Sequence, residues 1–343
     1  MSLVRDAINH VRINWDKYPA FLLDLRSFLE AKGLDLREGG DPSRMLSGLL
    51  SGLRGWSDRR TEAASDSYNA IRLYTSDAGY RMMFSTINSA FREDGLANDV
   101  RALRCAVFLV ELLNIDLFNF RGANPHADGF RGRVYRGMCV SADELAQFLT
   151  LRSAPVTERY LSIPLAMVST STNRERTLAF ALREAGRDRD RYPVLWEIHV
   201  TGMDPQSLRI YQDSFPTTVV SSICAVPIDR LSQYPFEREV LLRGPFFQLL
   251  RMRQEEGRVD GKPLHTIEAI MLHESRDHIS SVSLSGFEAR RARELFRILV
   301  TMDRAKLCAS RAEEYGLSAD AQAYGTILVE QRSLLDLAIV GKS

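Results

Sequence analysis

The first 120 residues place apolar side chains at the spacing of an amphipathic helix. The clearest stripe recurs every three or four positions and comprises Phe21, Leu22, Leu25, Phe28 and Leu29. A second stripe comprises Met45, Leu46, Leu49, Leu50 and Leu53, and similar patterns cover residues 63–91 and 98–118. This part of the chain is therefore predicted to be helical.

Beyond residue 121 the pattern changes to short alternating runs that are typical of strands. The predicted strands cover residues 133–139, 194–200, 219–226, 237–242, 246–252 and 264–272, and residues 201–216 stay unassigned. Two predicted helices open with capping boxes, Ser141 with Glu144 and Thr172 with Glu175. Helical periodicity returns at about residues 286–338. We predict an α+β fold with a mixed β-sheet core, a helical N-terminal region and a helical C-terminal extension.

Composition excludes several classes of protein. The 343 residues are 45% hydrophobic and 26% charged with a net charge of +1, so charge gives no reason to expect nucleic acid or an anionic membrane as a partner. The four cysteines form no CxxC pair, and neither a disulfide framework nor a metal site is expected. No secretory signal and no run of about eighteen apolar residues occurs, so we expect a soluble protein without a membrane span.

Arg136 and Gly137 form the first segment that could bind a ligand. A guanidinium group suits a diphosphate because it donates paired hydrogen bonds, and the glycine lets another chain or a ligand approach closely. Taken by itself, this segment is more simply explained by an ordinary surface arginine, because arginine is abundant in this chain.

Two further polar segments lie on predicted strands. Ser169–Thr172 carries four consecutive hydroxyl groups, and in a strand successive side chains point to opposite faces. Ser169 and Ser171 would therefore share a face and could orient a carboxylate and a ribose. Glu237 and Glu239, two apart in a strand, would share a face about 7 Å apart. Paired carboxylates are the usual equipment for cleaving a glycosidic bond. A helix cap and the solvent-facing side of an edge strand are the respective structural alternatives.

Taken in order, Arg136, Ser169-Thr170-Ser171 and Glu237-Arg238-Glu239 resemble the R-S-E clan of mono-ADP-ribosyltransferases, in the ExE form seen in bacterial effectors and ecto-enzymes. The surroundings are similar too. Ala70–Thr75, followed by Tyr80, Asn88 and Arg92, looks like the helical segment upstream of the arginine strand in this family. Ala179 and Phe180 after the serines and Gly244–Phe247 after the glutamates also resemble family segments, so that the resemblance covers about residues 60–280.

The resemblance implies an enzyme that uses NAD as a substrate, needs no metal and transfers ADP-ribose to a protein side chain with release of nicotinamide. Arg136 and Gly137 would bind the diphosphate. Ser169, assisted by Thr170, would hold the nicotinamide-side ribose and the catalytic glutamate, Glu239. The Glu239 carboxylate would bind the ribose 2′-hydroxyl and stabilise the developing positive charge. Glu237 would accept a proton from the target side chain or orient that side chain.

Substrate recognition is assigned by the same resemblance to the loop at residues 228–235. Tyr234 and Phe236 would contact the protein substrate, with packing beneath the loop as the alternative. Arginine is the expected acceptor, ahead of threonine, for example on ubiquitin. The resemblance also implies the domain limits 1–58 (helical region), 59–281 (ADP-ribosyltransferase domain) and 282–343 (helical extension).

The biological role stays open at this stage. We expect a bacterial effector or toxin that reaches host cytosol by a route independent of a signal peptide and modifies a host protein, with a cytoplasmic enzyme as the alternative. Two other functions remain: an NAD glycohydrolase, in which water is the acceptor, and an inert binding module with the same fold. The target, the oligomeric state and the role of the helical ends are not determined.

Overall fold

The computed structural model of the chain describes residues 6–7, 9–11, 14, 17–31, 69–76, 100–123, 129–163, 167–188, 190–218, 224–232, 234–259, 261–272 and 285–340. Two compact units divide the chain. The first comprises Met1–Asp128, Pro164–Val168 and Val226–Arg243, and the second comprises Gly129–Ile163, Ser169–Ala225 and Gly244–Ser343. The predicted limits near residues 58 and 281 lie outside the described residues and remain predictions.

Among the described residues, eight helices and eight strands form the body of the fold. The helices are α1 (Tyr18–Ala31), α2 (Asn69–Tyr74), α3 (Val100–Ala123), α4 (Ala142–Ser153), α5 (Arg174–Arg187), α6 (Pro205–Ser214), α7 (Gly286–Glu314) and α8 (Ser318–Val340). The strands are β1 (Gly132–Ser141), β2 (Tyr160–Ser162), β3 (Met167–Ser171), β4 (Arg191–Thr201), β5 (Ala225–Pro227), β6 (Glu239–Arg243), β7 (Phe246–Val259) and β8 (Lys262–Leu272).

Helices α1 and α2 pack against α3 in the first unit. The predicted stripe of α1 is confirmed, because Leu22, Leu25 and Leu29 are buried. Strand β6 lies between β3 and β5 in strand order in this unit. The predicted stripe at residues 45–53 and the family-like residues Tyr80, Asn88 and Arg92 lie outside the described residues.

A mixed sheet forms the centre of the second unit, with the strand order β2-β7-β8-β4-β1-β3. Strands β4 and β8 run parallel, whereas the β1/β4, β7/β8 and β2/β7 pairs are antiparallel. Helix α5 packs Leu178 on Leu195, and helix α4 places Phe148 against Trp196. Neighbouring residues of a strand point to opposite faces, so these two helices cover the two faces of the sheet. The α+β prediction is confirmed.

The C-terminal helices belong to the core of the second unit. Leu295, Leu299 and Leu335 share one buried cluster with Tyr211 and Leu272. The predicted helicity of residues 286–338 is confirmed, and these helices complete an apolar core. None of the described helices combines the length and the hydropathy that crossing a membrane would require.

The residues that cap the helices agree with the predicted capping boxes at one helix and differ at another. The capping box of Ser141 and Glu144 is confirmed at α4. The box predicted at Thr172 is wrong, because the side chain of Asn173 accepts the Arg176 N–H and so caps α5. The unassigned residues 201–216 contain α6, whose start carries an Asp204 cap and a proline in the first turn.

Two buried carboxylates face each other at the centre of the mixed sheet. Glu197 and Glu268 are direct partners in the parallel β4/β8 pair and are 5% and 2% exposed. Arg253 Nη2 lies 3.2 Å from Glu197 Oε2 and 2.8 Å from Glu268 Oε1. Arg174 adds a 2.9 Å contact to Glu197, and Arg251 adds one of 2.9 Å to Glu268. Opposed like charges destabilise a sheet, so these arginines are needed to hold the strands together.

Burial by itself raises the pKa of Glu268, but hydrogen bonding from Arg251 and the charges of Arg251 and Arg253 bring the pKa below its ordinary value. A carboxyl group with a lowered pKa in the folded state stabilises the fold above its unfolded pKa. That stabilisation disappears as the pH falls through the folded pKa.

We therefore predict that Arg253→Gln lowers the free energy of unfolding by about 2–4 kcal/mol at neutral pH, because it leaves two buried carboxylates undercompensated. Denaturant unfolding followed by circular dichroism measures the change. The control is Arg187→Gln, which breaks an exposed pair with Glu184 and should cost less than about 1 kcal/mol. The Arg253→Gln deficit should shrink in acid, and a deficit independent of pH would contradict the electrostatic explanation.

Candidate active site

Arg136 and Ser169 are brought together in the second unit. Arg136 lies on β1 opposite Trp196 of β4, so its backbone is held within the sheet. Its Nη1 donates a 2.8 Å hydrogen bond to the backbone carbonyl of Ser169. One guanidinium edge is thus anchored on the strand that carries the serine segment, which restricts the rotamers available to this long side chain.

Gly137 is required by the packing of its own chain. A Cβ at this position would lie 2.2 Å from the backbone carbonyl oxygen of Thr177 in α5, far inside contact distance. The close approach expected of this glycine is therefore made by helix α5. Any larger residue would push α5 away from the sheet next to Arg136.

The serine segment alternates as the strand prediction requires. Ser169 and Ser171 are partly exposed, whereas Thr170 between them is 4% exposed. Ser171 pairs with Tyr135 of β1, and its Oγ accepts a 2.9 Å hydrogen bond from the Asn173 N–H. Ser171 thus shapes the turn into α5, and Ser169 presents its side chain on the same face of the strand.

The two glutamates lie in the first unit, and their predicted geometry is wrong. Glu237 ends a 3₁₀ turn at Pro235–Glu237, and β6 begins only at Glu239. Arg238 between them has φ 48° and ψ 53°, in the left-handed region. The pair therefore does not share a strand face by alternation. Glu239 is 8% exposed and heads the strand, while Glu237 is partly exposed on the turn before it.

The loop before Glu239 is a compact turn whose two ends are joined. Ile228 N donates to the Glu239 carbonyl at 2.9 Å, and its own carbonyl accepts from Leu231 N and Ser232 N. Tyr234 and Phe236 make an edge-on aromatic contact with centroids 5.7 Å apart. Phe236 is nonetheless 51% exposed, which exceeds what simple packing beneath a loop gives.

Helix α3 anchors strand β6 and helix α2 of the first unit through residues that the sequence patterns did not single out. Asn114 Oδ1 accepts a hydrogen bond from Arg243 Nε at the end of β6. Asp116 Oδ2 accepts from the backbone N–H groups of Ala70 at 2.8 Å and Ile71 at 3.3 Å and so caps α2. A local capping pattern considers only residues near the helix start, so it could not predict a cap from a carboxylate that is remote in sequence.

Tyr74, at the end of α2, completes this chain of contacts. Its hydroxyl donates a buried 3.2 Å hydrogen bond to the backbone carbonyl of Met167 in β3, two residues before Ser169.

Desolvation raises the pKa of Asp116 to about 6, although the two backbone hydrogen bonds act in the opposite direction. Among the described residues, no three His, Cys, Asp or Glu side chains are arranged to hold a metal ion.

No protein-family model and no curated protein matches the chain. Solved structures do show likenesses. HopU1, an ADP-ribosyltransferase of Pseudomonas syringae pv. Tomato DC3000, is 16% identical with a TM-score of 0.38 over 65% of this chain and 87% of that chain. The Vis toxin, an ADP-ribosyltransferase from Vibrio splendidus, is 14% identical with a TM-score of 0.36 over 71% of this chain and 89% of that chain.

A third likeness is to the type III effector XopAI from Xanthomonas axonopodis pv. citri, which is 13% identical with a TM-score of 0.39 over 78% of this chain and 91% of that chain. Any functional interpretation of the chain therefore depends on its own residues and their geometry.

The left-handed conformation at Arg238 predicts a specific tolerance. Arg238→Gly should leave the free energy of unfolding unchanged or slightly raise it, because glycine adopts positive φ without steric cost. Arg238→Val should lower it by about 1–2 kcal/mol, since a β-branched side chain is strained there. Thermal unfolding compares the two variants, and equal stability would argue against a left-handed residue between the glutamates.

The raised pKa of Asp116 predicts a pH-dependent effect. Its carboxyl group favours the neutral form in the fold, so the stability it contributes is largest below pH 4 and is lost as the pH rises through about 6. Asp116→Asn keeps an oxygen acceptor for α2 but cannot ionise. It should be more stable than wild type by about 1–3 kcal/mol at pH 7.5 and equal at pH 4.

Thermal unfolding at both pH values measures this difference. Asp116→Ala serves as the control, because it loses the cap and should be less stable than Asp116→Asn at either pH. A gain for Asp116→Asn that is the same at both pH values would exclude ionisation of Asp116 as its cause.

Proposed function

We propose that this protein is an NAD-dependent mono-ADP-ribosyltransferase that modifies a protein side chain. The observation that carries the proposal is the 2.8 Å hydrogen bond from Arg136 to the Ser169 carbonyl, which joins two of the three positions of the R-S-E pattern. The third position, Glu239, heads β6 with a side chain that is 8% exposed, and its role is proposed from the resemblance to the R-S-E pattern.

In the proposed reaction Arg136, next to Gly137, binds the NAD diphosphate. Ser169 orients Glu239 and the nicotinamide-side ribose, with Thr170 assisting from the same strand. The Glu239 carboxylate accepts a hydrogen bond from the ribose 2′-hydroxyl and stabilises the oxocarbenium-like state. This interaction accelerates the reaction because it strengthens as positive charge develops on the ribose.

The bond between ribose C1′ and nicotinamide breaks, and nicotinamide leaves with the electron pair. A nucleophilic atom of the target then attacks C1′ and loses a proton, for which Glu237 is the proposed acceptor. A partly exposed carboxylate on a turn suits this role, since it must meet a side chain that arrives from another protein.

The proposed target is a host protein, and the proposed role is that of a bacterial effector or toxin. The exposed ring of Phe236, backed by Tyr234, would supply apolar contact with that target. An arginine acceptor is placed ahead of threonine, including threonine on ubiquitin. NAD glycohydrolase activity and an inert binding module remain the competing functions.

Purified protein with adenylate-labelled NAD tests the proposal. Host-cell lysate offers protein acceptors, and agmatine, with which Vis has been crystallised, offers a guanidinium group alone. Wild type should label a discrete protein, and Glu239→Gln should reduce labelling by about 10²–10³-fold. Glu237→Gln should lose transfer yet still release nicotinamide, because water can replace the protein acceptor.

The matched control is Glu175→Gln, which removes an exposed carboxylate on α5 and should label as wild type does. Nicotinamide release without any labelled protein would instead favour the glycohydrolase. Neither labelling nor nicotinamide release would refute the enzymatic proposal and favour the inert module.

A further inference from the structure

The C-terminal hairpin has one end at which the start of α7 meets the end of α8. Close to the connecting turn, Cys308 of α7 and Tyr324 of α8 share a cluster. Toward the opposite end, Ala292 and Leu295 of α7 share a cluster with Leu335 of α8. Helix α8 therefore returns along α7, and its last turns lie level with the first turns of α7. We call this end the hairpin tip.

Three arginines form a stripe along the first half of α7. Arg290, Arg293 and Arg297 are separated by three and four residues, so they share one helical face, and all three are exposed. The first and the last are seven positions apart, or about 10 Å at 1.5 Å per residue. None of them has a carboxylate partner among the described residues. The Arg293 Nε donates a hydrogen bond to the Ala289 carbonyl of its own helix.

Exposed apolar side chains occur on both helices at the hairpin tip. Phe287, in the first turn of α7, is 61% exposed, and Leu337, near the end of α8, is 71% exposed. Leu334 and Ile339 add 42% and 40% exposed side chains. The tip thus combines unpaired positive charge with apolar groups that remain in water.

We propose that the hairpin tip binds the surface of an anionic membrane, with the apolar side chains entering the headgroup region and the arginines contacting acidic lipid headgroups. Peripheral membrane helices use this combination of groups. Charge complementarity favours this occupant, because all three arginines are exposed and none has a carboxylate partner among the described residues. Nucleic acid would use the arginines but would leave the aliphatic side chains without a role.

Vesicle co-sedimentation tests the proposal with the whole chain. Wild type should bind phosphatidylcholine vesicles that contain phosphatidylserine, and should not bind vesicles of phosphatidylcholine alone. Each arginine near the surface contributes about fivefold to partitioning, so R290Q/R293Q should bind about 25-fold more weakly. Leu337→Asn should weaken binding by about tenfold, and this loss should persist at high salt, because it removes apolar burial.

The matched control is R152Q/R209Q, which removes the same charge from exposed positions on α4 and α6 and should bind as wild type does. Thermal unfolding checks that each variant is folded. Equal loss in both double variants would overturn the proposal in favour of diffuse electrostatic attraction. Failure of wild type to bind either vesicle would also overturn it, and binding of single-stranded RNA in that case would identify the arginine stripe as a nucleic-acid site.

Discussion

The pairing of Glu197 with Glu268 at the centre of the second unit's sheet is the constraint on which the site scaffold depends. Two buried carboxylates in adjacent parallel strands repel each other unless cations meet them, and Arg253 reaches both. Strand β1, which carries Arg136, hydrogen-bonds to β4 along its whole length. The position of Arg136 therefore depends on an ion cluster built from strands far apart in sequence.

Rigidity around the site residues comes mainly from backbone contacts. The carbonyl of Ser169 accepts from Arg136, that of Met167 accepts from Tyr74, and that of Glu239 accepts from Ile228 N. These contacts fix the backbone at Ser169 and Glu239 and so fix where their side chains begin. Substrate-positioning groups are effective when their geometry is set before substrate binds.

The local placement of the arginines says more about their roles than the net charge of the chain does. A net charge of +1 conceals two very different arrangements of arginine. Arg251 and Arg253 neutralise buried carboxylates and so act within the fold. Arg290 and Arg297 lie on an exposed helical face, where they remain available to an outside partner. Only burial and partner distances distinguish the structural arginines from those at the surface.

Sequence periodicity by itself determined the fold class. The helical stripe at Leu22, Leu25 and Leu29 reflects burial of one helix face, a property of that segment alone. Residues 194–200 were equally recognisable as a strand, although the structure buries both faces of residues 194–198. The order of Arg136, Ser169 and Glu239 can also be read from the sequence, but the roles assigned to these residues come from a resemblance to a family and stay predictions. The pattern also indicated the capping box at Ser141, because both of its members lie within one turn.

Tertiary structure decided the features that depend on remote partners or on one backbone angle. Asn173 rather than Thr172 caps α5, and the left-handed Arg238 removes Glu237 from the strand that alternation predicted. The cap that Asp116 provides for α2 joins residues more than forty positions apart. Local patterns carry information about which face is buried, whereas these contacts depend on how distant segments meet, and that is settled only when the whole chain packs.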